Sequence, residues 1–300
     1  MARVHIIGAG AIGLTFANAL SKKHNITIVS RHKHFSEWRY TQQHTAAINA
    51  NTMTLKQAQS EPTTIENCFV CVKSYQLLHA LTDVLPLLSD TASLFISHNG
   101  MSDLTQLTEQ LKPRQALYFV STARGALKLS DNHVKATGIG DTFVGACNRC
   151  AKNNLTQAYQ GFFETILPPS YIHNDINLLR WQKLVVNIAI NPLSALHQVP
   201  NGQLRQPRFA STILSLLNEA CTIAKCEGIH LPLSQALDSA YQVMARTQHN
   251  FSSMAQDVTH NRETEINAIC GYIVELGEKH HIATPMNTSM LHTIRALHLA

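Results

Sequence analysis

Short apolar runs punctuate the first half of the chain. Val4 to Ile7, Ile26 to Val29, Phe69 to Val72, Leu94 to Ser97 and Ala116 to Val120 are rich in β-branched or aromatic residues, which predicts buried strands. Between several of them apolar residues recur at helical spacing, as over Gln76 to Leu88 and Asp103 to Leu111. Strand and helix in alternation predict an α/β domain built on a mostly parallel sheet. His133 to Thr137 and Thr142 to Val144, separated by Gly138 and Gly140, read as a hairpin appended to that sheet, and residues 45 to 59 as a further short β segment. From about residue 153 the strand signals vanish. Leu178, Trp181, Leu184, Val185 and Ile188 fall at helical spacing, as do Ile213, Leu216, Leu217, Ala220 and Ala224. Gly228 with Pro232 marks a helix stop. The expected organisation is an α/β domain over 1–172, closed by Pro168-Pro169, and an all-helical domain over 173–300 whose first helix Asp175 caps.

Composition narrows the class. The longest uninterrupted apolar runs are only five residues, so no transmembrane helix and no membrane partner are expected. Met1 to Ile7 enters strand-like sequence without the tract of a secretory signal, which points to the cytoplasm. The net charge of +5 is spread without a basic block, so nucleic acid is not an expected partner. Seven cysteines, an odd number, do not make a disulfide framework. Cys68-x-x-Cys71 and Cys147-x-x-Cys150 resemble zinc half-sites. They lie 76 residues apart, and the first pair sits in a strand where residues three apart face opposite ways, so no metal site is expected.

Gly8-Ala9-Gly10-Ala11-Ile12-Gly13 is a G-x-G-x-x-G that follows a predicted strand and opens a predicted helix, Leu14 to Ser21. In that context it reads as a dinucleotide site. Gly8 permits the tight turn, Gly10 admits the pyrophosphate, and Gly13 lets helix and strand pack closely. After the second strand an NAD site carries a carboxylate for the ribose; this chain has Ser30-Arg31-His32-Lys33. A guanidinium that pairs with a 2′-phosphate favours NADP(H). Lys73 and Asn99-Gly100 follow later strands on the ligand-binding edge. In the second half Lys183, Asn187 and Asn191 stand at i, i+4 and i+8, a polar stripe on an apolar helix, and Ser253, Asp257, Asn261 and Glu265 repeat the spacing.

Gly8 to Gly13, His98-Asn99-Gly100-Met101, the block from Trp181 and Lys183 through Asn191-Pro192-Leu193, Pro200-Asn201-Gly202, and Ser252-Ser253-Met254 with Thr264-Glu265-Ile266 together resemble the ketopantoate reductase family. The resemblance runs over essentially the whole chain. It implies a Rossmann-type domain followed by a helical one, with the site in the cleft between them, and NADPH-dependent reduction of ketopantoate to pantoate in pantothenate and coenzyme A synthesis. It implies Lys183 as the catalytic proton donor and Glu265 as the catalytic partner of the substrate's hydroxyl end, also near the cofactor. Asn187, Asn191, Asn201, Asn250 and Ser253 match substrate contacts, Asn99 a contact to both substrate and cofactor, and Arg31, Lys73 and Ala126 cofactor contacts beside the loop from Gly8 to Gly13. Reduction of another branched 2-oxo acid, or NADPH sensing without turnover, are the alternatives. Monomer and dimer both stay open.

Overall fold

The computed structural model describes residues 1–30, 35–60 and 64–297. The chain divides into two compact units, Met1–His98 with Asp103–Ile176, and Asn99–Ser102 with Asn177–Ala300. The division falls after Ile176, four residues beyond the position read from the sequence. It also gives the helical unit a short segment from the middle of the α/β sequence.

The first unit is built on strands β1 (Arg3–Ile7), β2 (Asn25–Ser30), β5 (Ala50–Thr54), β6 (Ile65–Val70), β7 (Leu88–Ile96), β8 (Ala116–Thr122), β11 (Thr142–Ala146) and β12 (Ser170–Ile172). They form one eight-stranded sheet in the order β12-β11-β8-β7-β6-β1-β2-β5. All neighbours are parallel except β8 and β11. The central strands are buried on both faces, which is why they read as continuous apolar runs. Helix α1 (Ala11–Leu20) returns from β1 to β2, whereas β6 lies on the other side of β1. The chain thus reverses direction across the sheet at β1, and the loops after β1 and β6 adjoin where such sheets bind ligands. Helices α2 (Leu55–Ser60), α3 (Leu77–Val84), α4 (Leu104–Gln110) and α5 (Arg149–Phe162) complete the unit. Asp103 and Asn148 cap the last two by accepting from Thr105 N–H and Ala151 N–H.

The structure departs from the sequence pattern in three places. The predicted hairpin pairs the wrong strands, because β10 (His133–Gly138) pairs antiparallel with β9 (Gly125–Ser130) across the two-residue turn Asp131-Asn132, while β11 leaves to join β8 in the large sheet. Gly140 permits that departure, since a Cβ there would lie 2.3 Å from the Ala123 carbonyl oxygen. The segment over 45 to 59 is divided: β4 (Thr45–Ile48) joins β3 (Trp38–Thr41), β9 and β10 in a second sheet of order β4-β3-β10-β9, whereas β5 joins the first. A strand also follows residue 153, since Ser170–Ile172 adds an edge to the large sheet; three residues are too few for alternation to reveal it.

The second unit is helical: α6 (Ile176–His197), α7 (Ala210–Cys226), α8 (Leu233–Arg246), α9 (Ser253–Thr259), α10 (Tyr272–His280) and α11 (Pro285–Ala296), with a π-helical turn at Asn267–Gly271 leading into α10. Its core gathers Trp181, Leu184, Val185, Ile188, Ile213, Leu216 and Leu217, the residues whose spacing predicted the helices. Gly228, with φ +76°, ends α7 as read from the sequence. The second polar stripe is not one helix face: α9 stops at Thr259, Asn261 takes the left-handed conformation with φ 51°, and Glu265 stands where the next helix begins. Asn is among the few residues that adopt that conformation at low cost, so it ends the helix instead of extending it. Among the described residues no helix is long and apolar enough to cross a membrane.

Candidate active site

The glycine-rich turn read as a dinucleotide site lies in the first unit. The Cys71 N–H donates to the Ile7 carbonyl oxygen at 2.8 Å, so the chain leaving β6 stays against the chain leaving β1. Gly8 has φ +98° and a Cβ there would lie 2.5 Å from the Cys71 oxygen. A Cβ at Gly13 would lie 1.9 Å from the Gly8 oxygen. Both positions therefore need glycine for the fold itself. Gly10 differs, because a Cβ there meets nothing within 4 Å. It is the N-cap of α1 and offers no side-chain acceptor to the first N–H groups of that helix. An open, uncapped helix start fits a pyrophosphate, and the protein leaves in front of Gly10 the space such a group needs. Ala9, Ala11 and Ile12 line the same turn, half-buried. Lys73 follows β6 and precedes the short 3-10 turn Ser74–Gln76. Ala126 lies on β9, paired with Ala136, and its methyl packs against the core of the unit. Arg31 lies outside the described residues and follows Ser30, the last residue of β2.

The Cys71 backbone takes part in this arrangement, whereas the thiols of the two C-x-x-C pairs do not enter it. Cys68 and Cys71 are buried, and burial pushes both thiols far above their ordinary range. All seven cysteines are free, and among the described residues no group of three or more His, Cys, Asp or Glu is placed to hold a metal ion.

The second unit brings most of the other predicted residues together. Lys183, Asn187 and Asn191 share one face of α6, a helix that continues through Pro192. Burial pulls the Lys183 pKa down from 10.5 to about 8, and the neighbouring Glu265 carboxylate pulls it up against that shift. Glu265 is itself buried and accepts a hydrogen bond from Asn99 Nδ2 at 3.4 Å. Asn99, Lys183 and Glu265 thus form one group, although they stand on three separate stretches of sequence.

Other predicted residues of the helical unit are tied to one another. Ser252 ties the loop before α9 to α6, since its Oγ donates to the Asn191 carbonyl oxygen at 3.4 Å and its N–H donates to Ser194 Oγ at 3.2 Å. Ser252 Oγ also accepts from Ala255 N–H, which caps α9 and puts Ser253 at the first helical position, exposed. The Asn201 N–H donates to the Asn250 carbonyl oxygen at 2.8 Å, and Asn201 Nδ2 donates to Thr247 Oγ1 at 2.9 Å. Asn187 Nδ2, Asn201 Oδ1 and Thr264 Oγ1 are buried atoms without a protein partner. Asn187 lies one helical turn from Lys183 and Thr264 adjoins Glu265, so an unsatisfied amide donor and a hydroxyl stand beside that group in sequence.

Ser194 and Arg180 are not singled out from the sequence, and Thr264 enters there only as part of the block with Glu265. Arg180 offered a signal, as a cation three residues before Lys183 amid apolar positions; Thr264 and Ser194 offered little, since a Ser or Thr in a helical stretch has many ordinary uses.

Known proteins agree with this architecture. The family model described as "Ketopantoate reductase PanE/ApbA" matches residues 4–149, and the model of its C-terminal domain matches residues 175–298. The 2-dehydropantoate 2-reductase of Vibrio cholerae is 34% identical over 97% of this chain and 96% of its own, and that of Bacillus subtilis is 31% identical over 91% and 90%. Among solved structures, the probable 2-dehydropantoate 2-reductase of Bacillus subtilis aligns with TM-score 0.83 at 27% identity, covering 98% of this chain and 99% of that one. D-mandelate dehydrogenase bound to NADH and anilino(oxo)acetate aligns with TM-score 0.89 at 20% identity over 99% and 98%, a likeness of fold. Two family models in chain order and full-length relatives above 30% identity leave one assignment: the chain belongs to the ketopantoate reductase family of NADP-dependent oxidoreductases acting on CH–OH groups.

Proposed function

We propose that this chain reduces 2-dehydropantoate to pantoate with NADPH, serving pantothenate synthesis, and that Lys183 donates the proton. The observation that carries the reading is the Lys183 ammonium, drawn down to about 8 by burial beside the buried Glu265 carboxylate. A ketone that gains hydride develops negative charge on its oxygen. A positioned ammonium stabilises that charge and then neutralises it by giving up a proton. With a pKa near 8, Lys183 holds its proton at neutral pH and releases it more readily than an ordinary lysine does.

NADPH, when bound, supplies the hydride. Gly8 to Gly13 with the open start of α1, Lys73, Ala126 and Asn99 would hold it, and Arg31 would pair with its 2′-phosphate. In this reading residues 1–172 bind cofactor and 173–300 bind substrate. Glu265 keeps Lys183 protonated and accepts the hydroxyl end of the substrate. Asn99, Asn187, Asn191, Asn201, Asn250 and Ser253 receive its other polar atoms, and the lone Asn187 Nδ2 and Asn201 Oδ1 support that role.

The test is loss of NADPH absorbance with purified protein, ketopantoate, and 2-oxo-3,3-dimethylbutanoate, which lacks only the hydroxyl. A site built around that hydroxyl should favour ketopantoate by at least ~10-fold in kcat/KM, and Glu265→Ala should shrink the difference. Equal efficiency on both compounds favours a reductase of another branched 2-oxo acid. NADPH binding without any turnover favours a sensor.

A further inference from the structure

We infer that Arg180 is a positioning residue: its guanidinium fixes the segment Asn99–Ser102 on the helical unit so that Asn99 meets Glu265. The inference rests on the proposed roles of Asn99 and Glu265. Arg180 is 7% exposed and sits three residues before Lys183, on the same side of α6. Its Nη2 donates to the Ser102 carbonyl oxygen at 2.9 Å and approaches Ser102 Oγ at 3.4 Å.

Two other contacts hold the same segment. The Met101 N–H donates to the Ala268 carbonyl oxygen at 2.8 Å, and Gly100, with φ +72°, lies so close that a Cβ would come within 2.5 Å of that oxygen. Ala268 belongs to the π-helical turn that begins two residues after Glu265. Residues 97–103 have neither helix nor strand to hold them, and such a stretch keeps one shape only where specific contacts impose it. Here the π turn holds Met101 and Arg180 holds Ser102. Asn99, at the near end, then reaches Glu265 Oε2. A buried guanidinium is costly, and a methionine would fill its volume on this largely apolar helix without that cost. Anchoring the segment is what the cation adds.

The experiment compares wild type, Arg180→Met, Asn99→Ala and the double variant, using the 2-oxo acid that the wild type reduces best. Arg180→Met should raise KM for that acid about tenfold and lower kcat, with a thermal midpoint equal to or above wild type, because an apolar side chain replaces a buried charge. In the Asn99→Ala background the same substitution should change KM less than twofold, since its route to the site is already gone. Exchange of the Met101 amide hydrogen should quicken at least tenfold in Arg180→Met, a readout independent of turnover. Should that variant not accumulate, Arg180→Lys, which keeps the charge and loses the planar fork, should raise KM about threefold and only where Asn99 is present. Wild-type kinetics and Met101 exchange in the variant overturn the inference, as does an equal rise in KM with and without Asn99. Failure of the wild type to prefer ketopantoate counts against the proposed substrate and leaves these ratios intact.

Discussion

The proton-donor reading predicts the pH dependence of catalysis. A lysine with an ordinary pKa of 10.5 would remain charged throughout the range in which enzymes are assayed, and reduction would not fall until pH 10. Burial brings Lys183 to about 8, so roughly nine-tenths of the molecules carry the proton at pH 7 and roughly one-tenth at pH 9. Since kcat/KM reports the free enzyme, kcat/KM for ketopantoate reduction should fall about tenfold for each unit above pH 8. Burial and Glu265 act on Lys183 in opposite senses, burial being the larger, and Glu265→Gln deletes the one that raises the pKa. The alkaline limb of that variant should therefore move to lower pH. The assay is initial-rate NADPH oxidation from pH 6 to 10.5 with the protein shown to stay folded. A profile flat to pH 10, or a limb that moves to higher pH in Glu265→Gln, would refute Lys183 as a half-buried proton donor next to that carboxylate.

Gly10→Ala should fold like wild type, because its Cβ meets no protein atom, yet weaken NADPH binding at least ~10-fold by titration, whereas Gly13→Ala should lose thermal stability before binding is measured. Glu219 caps α11 by accepting from Met286 N–H, Asn287 N–H and Asn287 Nδ2, so Glu219→Ala should destabilise the protein by about 1–3 kcal/mol in urea unfolding. His5 and His24 both have lowered pKa values, chiefly through burial, so their stabilising effect is complete above pH 6.5 and lost as pH falls below it. The thermal midpoint should drop between pH 7.5 and 5.5, and His24→Gln should make that drop shallower; an unchanged slope would exonerate His24.

The doubly wound sheet was legible because its central strands are buried on both faces and its helices are not, which leaves different periods in the sequence. The Lys183 stripe was legible for the same reason, as three polar residues on an apolar helix. What stayed hidden depends on contacts between distant residues. Nothing local tells Thr142–Ala146 to leave β10 for β8, since alternation gives a strand its faces and not its partner. The break at Asn261 interrupts a polar spacing that continues unchanged through it, so the stripe from Ser253 to Glu265 could not reveal that Glu265 begins a new helix. The placement of Asn99 on the helical unit was equally hidden, because the anchor at Arg180 lies 81 positions further along the chain.

The helical unit carries several locally unfavourable features. Pro192 continues α6 without an N–H, which leaves the Ile188 carbonyl without its helical donor. The π turn interrupts the regular ladder two residues after Glu265. Asn187 Nδ2, Asn201 Oδ1 and Thr264 Oγ1 are buried without protein partners, and each such group costs about 1–3 kcal/mol. Apolar residues of similar size would relieve these costs and keep the fold. Under the proposed function these penalties would belong to a site that a ligand completes. A ligand that offers an acceptor to Asn187 and a donor to Asn201 recovers them, and a ligand that lacks either group leaves the penalty in place. On the proposed function, discrimination against an apolar 2-oxo acid would come from the protein's own unsatisfied atoms as much as from the hydrogen bonds that the right substrate makes.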